Sequence, residues 1–371
     1  MGKEKSSILL LKNLLTGIGV LPLTDGHSKW IDRVWTLLCF CCGSFLLMSS
    51  FQFMIEVPIP IIDKLETLLY ITASIHIVSN QAILILKSKA VKILIEDIEN
   101  LYNILYENEN NASILNKWSN RGKRQAYFFI STYIVYTCCN CLMSILHLLI
   151  FNVYKSPYSI GTLFVPKDLK ALAMVFQVFT MFFGTLIMSI HMSFICIIGT
   201  SIAGGMEVLK KELQARSTTD NRDFHLFSYK LHSQIINLTA RFNKIYGFPL
   251  AILTAFCSIQ CCLTTYPLAR ANVRAQDFVL FCTTNVFPVA ICETGNAVFT
   301  ESNNVFLATY DNYWYNESPK SRKELSIMML VARRPLHLHF RHVVRFTYET
   351  YLSILQTSYS YMAVLRTMER S

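Results

Sequence analysis

The sequence predicts an all-α, polytopic membrane protein: seven transmembrane helices, a cytosolic N-terminus, an extracellular C-terminus and a cytosolic helical anchor layer. Three observations predict it. Hydrophobic residues make up 53% of the chain and charged residues only 16%, against about 25% charged in an average soluble domain. The apolar residues are gathered in blocks of about 20, the length of helix that crosses a bilayer. Lys and Arg crowd into alternate connections between the blocks, as cytosolic loops require. The blocks are continuous rather than alternating, which excludes barrel strands, and no other spanning structure satisfies its backbone in lipid.

The blocks place spans at 34–55, 65–86, 126–151, 171–199, 246–268, 277–299 and 343–366. They divide the chain into a cytosolic N-terminal segment, 1–33, six spans over 34–300, cytosolic anchor helices over 301–342, and a last span with a short outer tail, 343–371. Near the start, the apolar run Ile8 to Leu11 is shorter than the core of about 7–15 residues that a signal peptide needs. Span two carries Ser74, His76, Ser79, Asn80 and Gln81, and span six carries Thr283, Thr284, Asn285 and Glu293. Polar groups at membrane depth must face protein or water, so both spans are expected to line an interior.

The net charge is +10, carried by loops rather than by a nucleic-acid-binding face. Of 34 Lys and Arg, five lie before span one and seven each lie in 87–124, 210–244 and 320–345; the remaining eight lie on the other side. That asymmetry sets the orientation. The three long cytosolic connections read as helices. Val91, Leu94, Ile95, Ile98, Leu101, Tyr102 and Leu105 share one face of a helix over 88–107 running on from span two. Residues 206–243 show amphipathic spacing, and 301–338 continue span six to a turn at Ser318-Pro319 and a second helix ending near Arg334-Pro335. Such helices can form a layer that holds subunits together or lie on the membrane surface.

All twelve cysteines fall inside the apolar blocks, as small packing residues do; neither a disulfide framework nor a zinc site is expected, and no cofactor. No phosphate-binding glycine loop, His-Glu-x-x-His or nucleophile elbow is present. His147 and His191 read as packed intramembrane residues, so an enzyme is not expected. The sequons at Asn111, Asn237 and Asn316 all lie in connections read as cytosolic. A G-protein-coupled receptor is opposed by the charge count, by an outer loop 152–170 without cysteine, and by the lack of Asp-Arg-Tyr after span three and Asn-Pro-x-x-Tyr in span seven. A transporter needs internal repeats or broken helix pairs; Pro249, Pro267 and Pro288 could break helices, but no repeat is visible.

The last third carries a specific pattern. Glu301-Ser-Asn-Asn-Val305, Ala308-Thr-Tyr310, Trp314-Tyr315, Ser318-Pro319 and Met328 to Pro335 lead to Glu349-Thr-Tyr-Leu-Ser-Ile-Leu-Gln-Thr-Ser-Tyr-Ser-Tyr-Met-Ala-Val-Leu365. This resembles the C-terminal region of insect odorant receptors. The sister gustatory receptors, a related alternative, have Thr-Tyr, five apolar residues and Gln-Phe; here Thr347-Tyr348 and Gln356 have the wrong spacing and no Phe follows. His339-Phe-Arg-His-Val-Val344 replaces the family's usual Gly-containing approach to the last span.

The resemblance implies a tetrameric, ligand-gated cation channel in the plasma membrane of an olfactory neuron's dendrite or cilium, built from tuning subunits and a shared odorant co-receptor. Its partners would be that co-receptor, a small volatile ligand and lipid, with no nucleic acid. The co-receptor's C-terminus is rich in Val-Val-x-Tyr-Phe, so Ser-Tyr-Ser-Tyr marks a tuning subunit. The resemblance also places the last span around the pore. Ser353, Thr357 and Ser360 then supply a polar lining, and Val364 and Met368 match the family's hydrophobic gate positions, where apolar rings close a pore by dewetting. The same stripe of small residues also fits ordinary helix packing. The ligand site is expected as an apolar cavity with one or two polar groups in the outer half of the bundle. Candidates are Tyr70 and Ser74 in span two; Ser144, His147 and Leu148 in span three; Met174, Gln177, Val178 and Met181 in span four; and Phe281 and Asn285 in span six. The Met stripe also fits plain core. None of these is charged, which points to neutral ligands such as alcohols, esters, ketones or aromatics.

Overall fold

The computed structural model describes residues 6–21, 29–56, 61–151, 170–215, 222–268, 275–312, 314–341 and 343–370. Ten helices carry it: α1 (Ser6–Gly17), α2 (Lys29–Glu56), α3 (Ile61–Leu86), α4 (Ser88–Tyr106), α5 (Glu109–Phe151), α6 (Lys170–Gln214), α7 (Arg222–Leu268), α8 (Ala275–Tyr310), α9 (Pro319–Ala332) and α10 (Tyr348–Arg370). A 3-10 turn, Trp314–Asn316, precedes α9, and a two-residue hairpin, β1 (His339–Phe340) with β2 (Val344–Arg345), precedes α10. Each of the first six predicted spans falls in one helix, α2, α3, α5, α6, α7 and α8, and the seventh falls in α10 from Tyr348 onward. Among the described residues, α2, α3, α6 and α7 contain stretches long and apolar enough to cross a membrane by themselves.

The long helices run past the predicted spans. α5, α6 and α7 have 43, 45 and 47 residues, about 65–70 Å at 1.5 Å per residue, twice the hydrocarbon thickness. Their ends, with α1, α4 and α9, make one basal layer. α4 buries the seven side chains that its sequence period selects, each contributing about 1.5–3 kcal/mol over leaving it in water. Ser318 caps α9 by accepting from Ser321 N, with Pro319 in the first turn. α8 runs unbroken from span six into the layer, because residue 300 carries no breaker. Many basic residues of the layer are stitched between helices: Lys12–Glu99, Lys117–Glu207, Arg121–Glu293, Lys210–Glu301 and Arg241–Asp97.

Several expectations are corrected. The N-terminal segment carries a helix, α1, that the sequence did not predict. α1 buries Leu11 and Leu15 fully, Ser119 Oγ donates to Ser7 Oγ at 2.8 Å, and Trp35 Nε1 donates to Thr16 O at 3.1 Å. The 88–107 helix is set off from span two by Lys87, whose backbone is not helical (φ −102°, ψ 17°). The 206–243 pattern belongs to two helices, the end of α6 and the start of α7. Helices α7 and α8 continue through Pro249, Pro267 and Pro288, as membrane helices do when neighbours satisfy the freed carbonyls.

The last span starts at Tyr348 rather than at 343. The hairpin pairs His339 with Arg345 and Phe340 with Val344, turning at Arg341 with φ 48°. Phe346 N closes it by donating to Leu338 O at 3.0 Å. Asn243 of α7 grips it twice, donating to His337 O at 2.9 Å and accepting from His339 N at 3.1 Å. On α8, Gly295 sits against the Phe346 carbonyl, where any Cβ would collide.

Candidate functional site

Above the basal layer, six helices converge on a cavity. α3 contributes Leu69, Tyr70, Ala73 and Ile77, and α6 contributes Met181, Thr185 and Met188. Both sets recur every three or four residues, so each is one stripe of a helix. Tyr133 and Tyr136 come from α5, Phe256 and Gln260 from α7, Leu280 and Thr284 from α8, and Leu46 from α2. The free space is only about 50 Å³, well below the roughly 300–1,000 Å³ of sites that hold drug-sized ligands. Occupation therefore requires side chains to move.

The lining is apolar with a few hydroxyls and one amide, and none of it is charged. The Tyr70 and Tyr136 hydroxyls share a hydrogen bond at 3.1 Å. Gln260 Nε2 donates to Leu69 O at 3.3 Å. Thr185 and Thr284 donate to carbonyls of their own helices, Met181 O and Leu280 O, at 2.8 and 2.9 Å. Such a chamber takes up a neutral, mostly apolar molecule and offers it a small choice of hydrogen bonds.

Of the residues predicted to form the site, Tyr70 and Met181 line the cavity. Ser74 is fully buried but donates to Tyr70 O at 2.6 Å beside the chamber. Gln177 is buried and Val178 half-buried one turn beyond Met181, outside the lining. Phe281 and Asn285 miss it by one residue: Leu280 and Thr284 face the space, while Asn285 donates to Phe281 O and accepts from the Cys261 thiol. A one-residue offset turns a helix face by about 100°, because 3.6 residues make a turn. The side chains of Ser144, His147, Leu148 and Met174 lie outside the described residues.

Sequence reasoning missed Tyr133, Tyr136, Phe256 and Gln260. A signal was available: Tyr133/Tyr136 and Phe256/Gln260 lie three and four apart, and an amide at membrane depth must face an interior. Of the polar residues named in span two, Ser74, His76, Asn80 and Gln81 are buried, as expected, and Ser79 is half-buried. In span six, Glu293 takes a hydrogen bond from Arg121 at 2.7 Å and one from Gln125 at 3.2 Å.

α10 packs on α7 and α8 through Ile354 and Ser358. Its other face, with Ser353, Thr357, Ser360 and Val364, is exposed in the single chain, and Val364 is 54% exposed. Thr357 and Ser360 donate back to Ser353 O and Gln356 O. The Met368 side chain lies outside the described residues. The helices that line the cavity with Phe256, Gln260, Leu280 and Thr284 are thus the ones against which α10 lies.

In the basal layer, burial raises the Glu207 carboxyl but hydrogen bonds from Lys117 and Trp118 outweigh it, leaving the pKa below its ordinary value. Burial depresses His232. Burial, Arg345 and His339 together depress His337, which stacks on Phe299 at 5.0 Å. Asn111 buries its amide against Glu212 at 2.8 Å, so its sequon is closed in the folded chain. Among the described residues, no group of three or more His, Cys, Asp or Glu is placed to hold a metal.

Residues 61–359 match the family model described as 7tm Odorant receptor. Curated relatives include Odorant receptor 49a of Drosophila melanogaster, 27% identical over 148 residues, covering 39% of this chain and 37% of the relative. Odorant receptor 47b of the same species is 28% identical over 145 residues, covering 37% and 35%. The chain thus aligns with little more than a third of the length of these relatives. Among solved structures, the insect olfactory receptor OR5 from Machilis hrabei in complex with eugenol has a TM-score of 0.81 at 14% identity, covering 98% of both chains. A second structure of that receptor gives 0.75 at 14% identity, covering 97% of this chain and 99% of the other.

Proposed function

The chain belongs to the seven-transmembrane odorant receptor family, so it is a multi-pass membrane receptor and not an enzyme, and we propose that it is the tuning subunit of a ligand-gated, non-selective cation channel. The cavity bounded by Tyr70, Tyr136, Met181, Phe256 and Gln260 takes a small neutral volatile molecule, and α10 lines a central pore. The observation that carries this reading is the shared scaffold: α7 and α8 supply cavity wall on one side and the bed of α10 on the other. The Machilis hrabei receptor holds eugenol, a small neutral aromatic molecule of the kind this cavity suits.

The mechanism follows from the cavity's size. About 50 Å³ of free space cannot admit a volatile ligand without outward movement of its walls. If the open arrangement has the larger chamber, ligand binds it more tightly and shifts the population toward it; equal affinity would shift nothing. Movement of α7 and α8 reaches α10 at Ile354 and Ser358 and again through the hairpin held by Asn243 and Gly295. In a tetramer with a co-receptor, the exposed Ser353, Thr357 and Ser360 face the ion path, and Val364 and Met368 close it by dewetting. The basic basal layer lies in the cytosol, with the C-terminus outside. Residues 301–342 act there as subunit anchor, in the plasma membrane of an olfactory neuron's dendrite or cilium.

The test is co-expression with and without the odorant co-receptor, recording odorant-evoked cation current. Current only in the pair supports a tuning subunit; no current in any pairing, with the protein at the cell surface, rejects the channel. Tyr70→Ala and Met181→Ala should reorder ligand potency while sparing surface expression. An epitope at Ser371 should be reached by antibody on intact cells, and access only after permeabilisation rejects the orientation.

A further inference from the structure

Beneath the cavity, on its basal side, lies a polar layer that the packing of the bundle leaves unfinished. His191 of α6 is completely buried, and neither ring nitrogen has a hydrogen-bond partner among the described residues. Asn80 of α3 is 1% exposed; its amide nitrogen meets the His76 ring at 2.9 Å, while its Oδ1 has no hydrogen-bond partner among the described residues. His76 is fully buried, within electrostatic reach of His191, and stacks on Phe256 at 5.0 Å with the rings 6° from parallel. Phe256 is itself a cavity wall, and Met188, another wall, lies one turn from His191 on the same helix. Both side chains border the chamber on its basal side, and Met188 is a flexible thioether that can change rotamer.

An imidazole with neither nitrogen satisfied costs about 1–3 kcal/mol per unpaired group, and lipid offers no water to relieve it. A chamber too small for its ligand must also enlarge somewhere. Both problems have one solution if the chamber extends past Met188.

We propose that His191 and Asn80, backed by His76, form the polar end of the ligand site and select an aliphatic alcohol. The unmet groups are a ring N–H, a ring nitrogen lone pair and the Asn80 carbonyl. A hydroxyl can accept from the first and donate to either of the others. An ether or ketone can only accept, and an alkane leaves all of them unpaired. Sites built to hydrogen-bond a hydroxyl reject analogues lacking it far more strongly than apolar pockets reject a change in size. This inference rests on the proposed cavity and adds the chemistry of its ligand.

The experiment co-expresses the chain with the co-receptor and measures concentration–response curves for matched triplets, each a primary alcohol, its methyl ether and the alkane of equal length, from hexyl to decyl. The alcohol should be more potent than its ether by about tenfold or more. His191→Phe should bring the two to parity, and His191→Gln, which keeps a donor and an acceptor, should retain the preference. Should His191→Phe fail to reach the surface, Asn80→Leu makes the same test. An ether or alkane equal to the alcohol in the parent, or a preference surviving in both surface-expressed variants, overturns the polar end. Tyr70→Ala should change only the preferred chain length. If it does so while His191→Phe changes nothing, the cavity stands and the alcohol assignment falls. If neither changes any ranking, the cavity itself is misplaced.

Discussion

The basal layer and the cavity level are built from the same long helices, yet they are held together by different chemistry. At the base, contacts between helices are ionic or close-packed: Lys210 pairs with Glu301 at 3.2 Å, Gly204 lies against Tyr102 and Trp118, and α4 inserts seven apolar side chains. At the cavity, most hydroxyls bond to their own helix, as Ser74, Thr185 and Thr284 do. Those that cross between helices there include Tyr70–Tyr136, Gln260–Leu69 and Thr264–Thr284, all between uncharged groups. A helix whose polar groups are satisfied internally can slide or tilt against its neighbour at little cost. One tied by ion pairs and by backbone contact at glycine cannot. The base is therefore suited to be the fixed part and the cavity the part that yields.

The largest expected effect comes from breaking the base at the hairpin. Gly295→Val places a branched side chain against the Phe346 carbonyl, where backbone must move, so folded receptor at the surface should fall to a small fraction of the parent. Gly17→Ala, with no atom within 4 Å of the added methyl, should be neutral or stabilise by up to about 1 kcal/mol. Surface biotinylation of the two variants makes the comparison.

Next in size, Leu94→Ala or Leu101→Ala in α4 removes a buried side chain and should cost about 2–5 kcal/mol, read as a lower melting temperature of the purified receptor. The equivalent truncation at the cavity, Met181→Ala, enlarges a chamber that ligand can refill. Its loss should be largely recovered in the presence of agonist. Equal, ligand-independent losses at both places would remove the distinction between fixed and yielding regions.

Glu207 gives a pH test of the base. Its folded pKa lies below the ordinary carboxyl value, so its stabilisation is fully present above the unfolded pKa of about 4.3. It is lost as pH falls through the still lower folded value. Melting temperature should therefore drop on acidification below about pH 4.3, and Glu207→Gln should be less stable at neutral pH with a shallower acid drop. An unchanged acid profile would mean that the bonds from Lys117 and Trp118 contribute nothing.

Smallest is the exposed pair Lys92–Glu96, 3.9 Å apart on α4. Lys92→Ala should change stability by under about 0.5 kcal/mol, within the error of most melts. A larger effect would mean that this face of α4 is covered in the assembled receptor.

Periodicity and charge counting recover the helices whose faces differ sharply. α4 was legible residue by residue because its buried positions are apolar and its exposed ones charged. The start of α9 was legible as a turn at Ser318-Pro319 because Ser-Pro at a helix start has a local physical cause. α1 was not: a helix of only 12 residues is marginal alone, however apolar, and is held by partners distant in sequence, such as Ser119 and Glu99. The start of α10 was hidden for the same reason, since the grip of Asn243 and Gly295 on the hairpin is long-range. Around the cavity, the sequence pointed to Tyr70 and Met181, whereas in span six the lining comes from Leu280 and Thr284, one residue from the stripe that the sequence suggested. In a membrane both the lipid face and the protein face of a helix are apolar, so hydropathy does not say which one looks inward.

By itself the sequence determined the class of the molecule, the number and position of its spans and the amphipathic face of α4. These depend on bilayer thickness and helical period, which act on neighbouring residues. Only the tertiary structure decided which residues meet around the cavity, where α10 begins and that the His191 ring has no hydrogen-bond partner among the described residues. Those outcomes depend on the rotation of each helix about its own axis, which packing among several helices sets together and no single segment encodes.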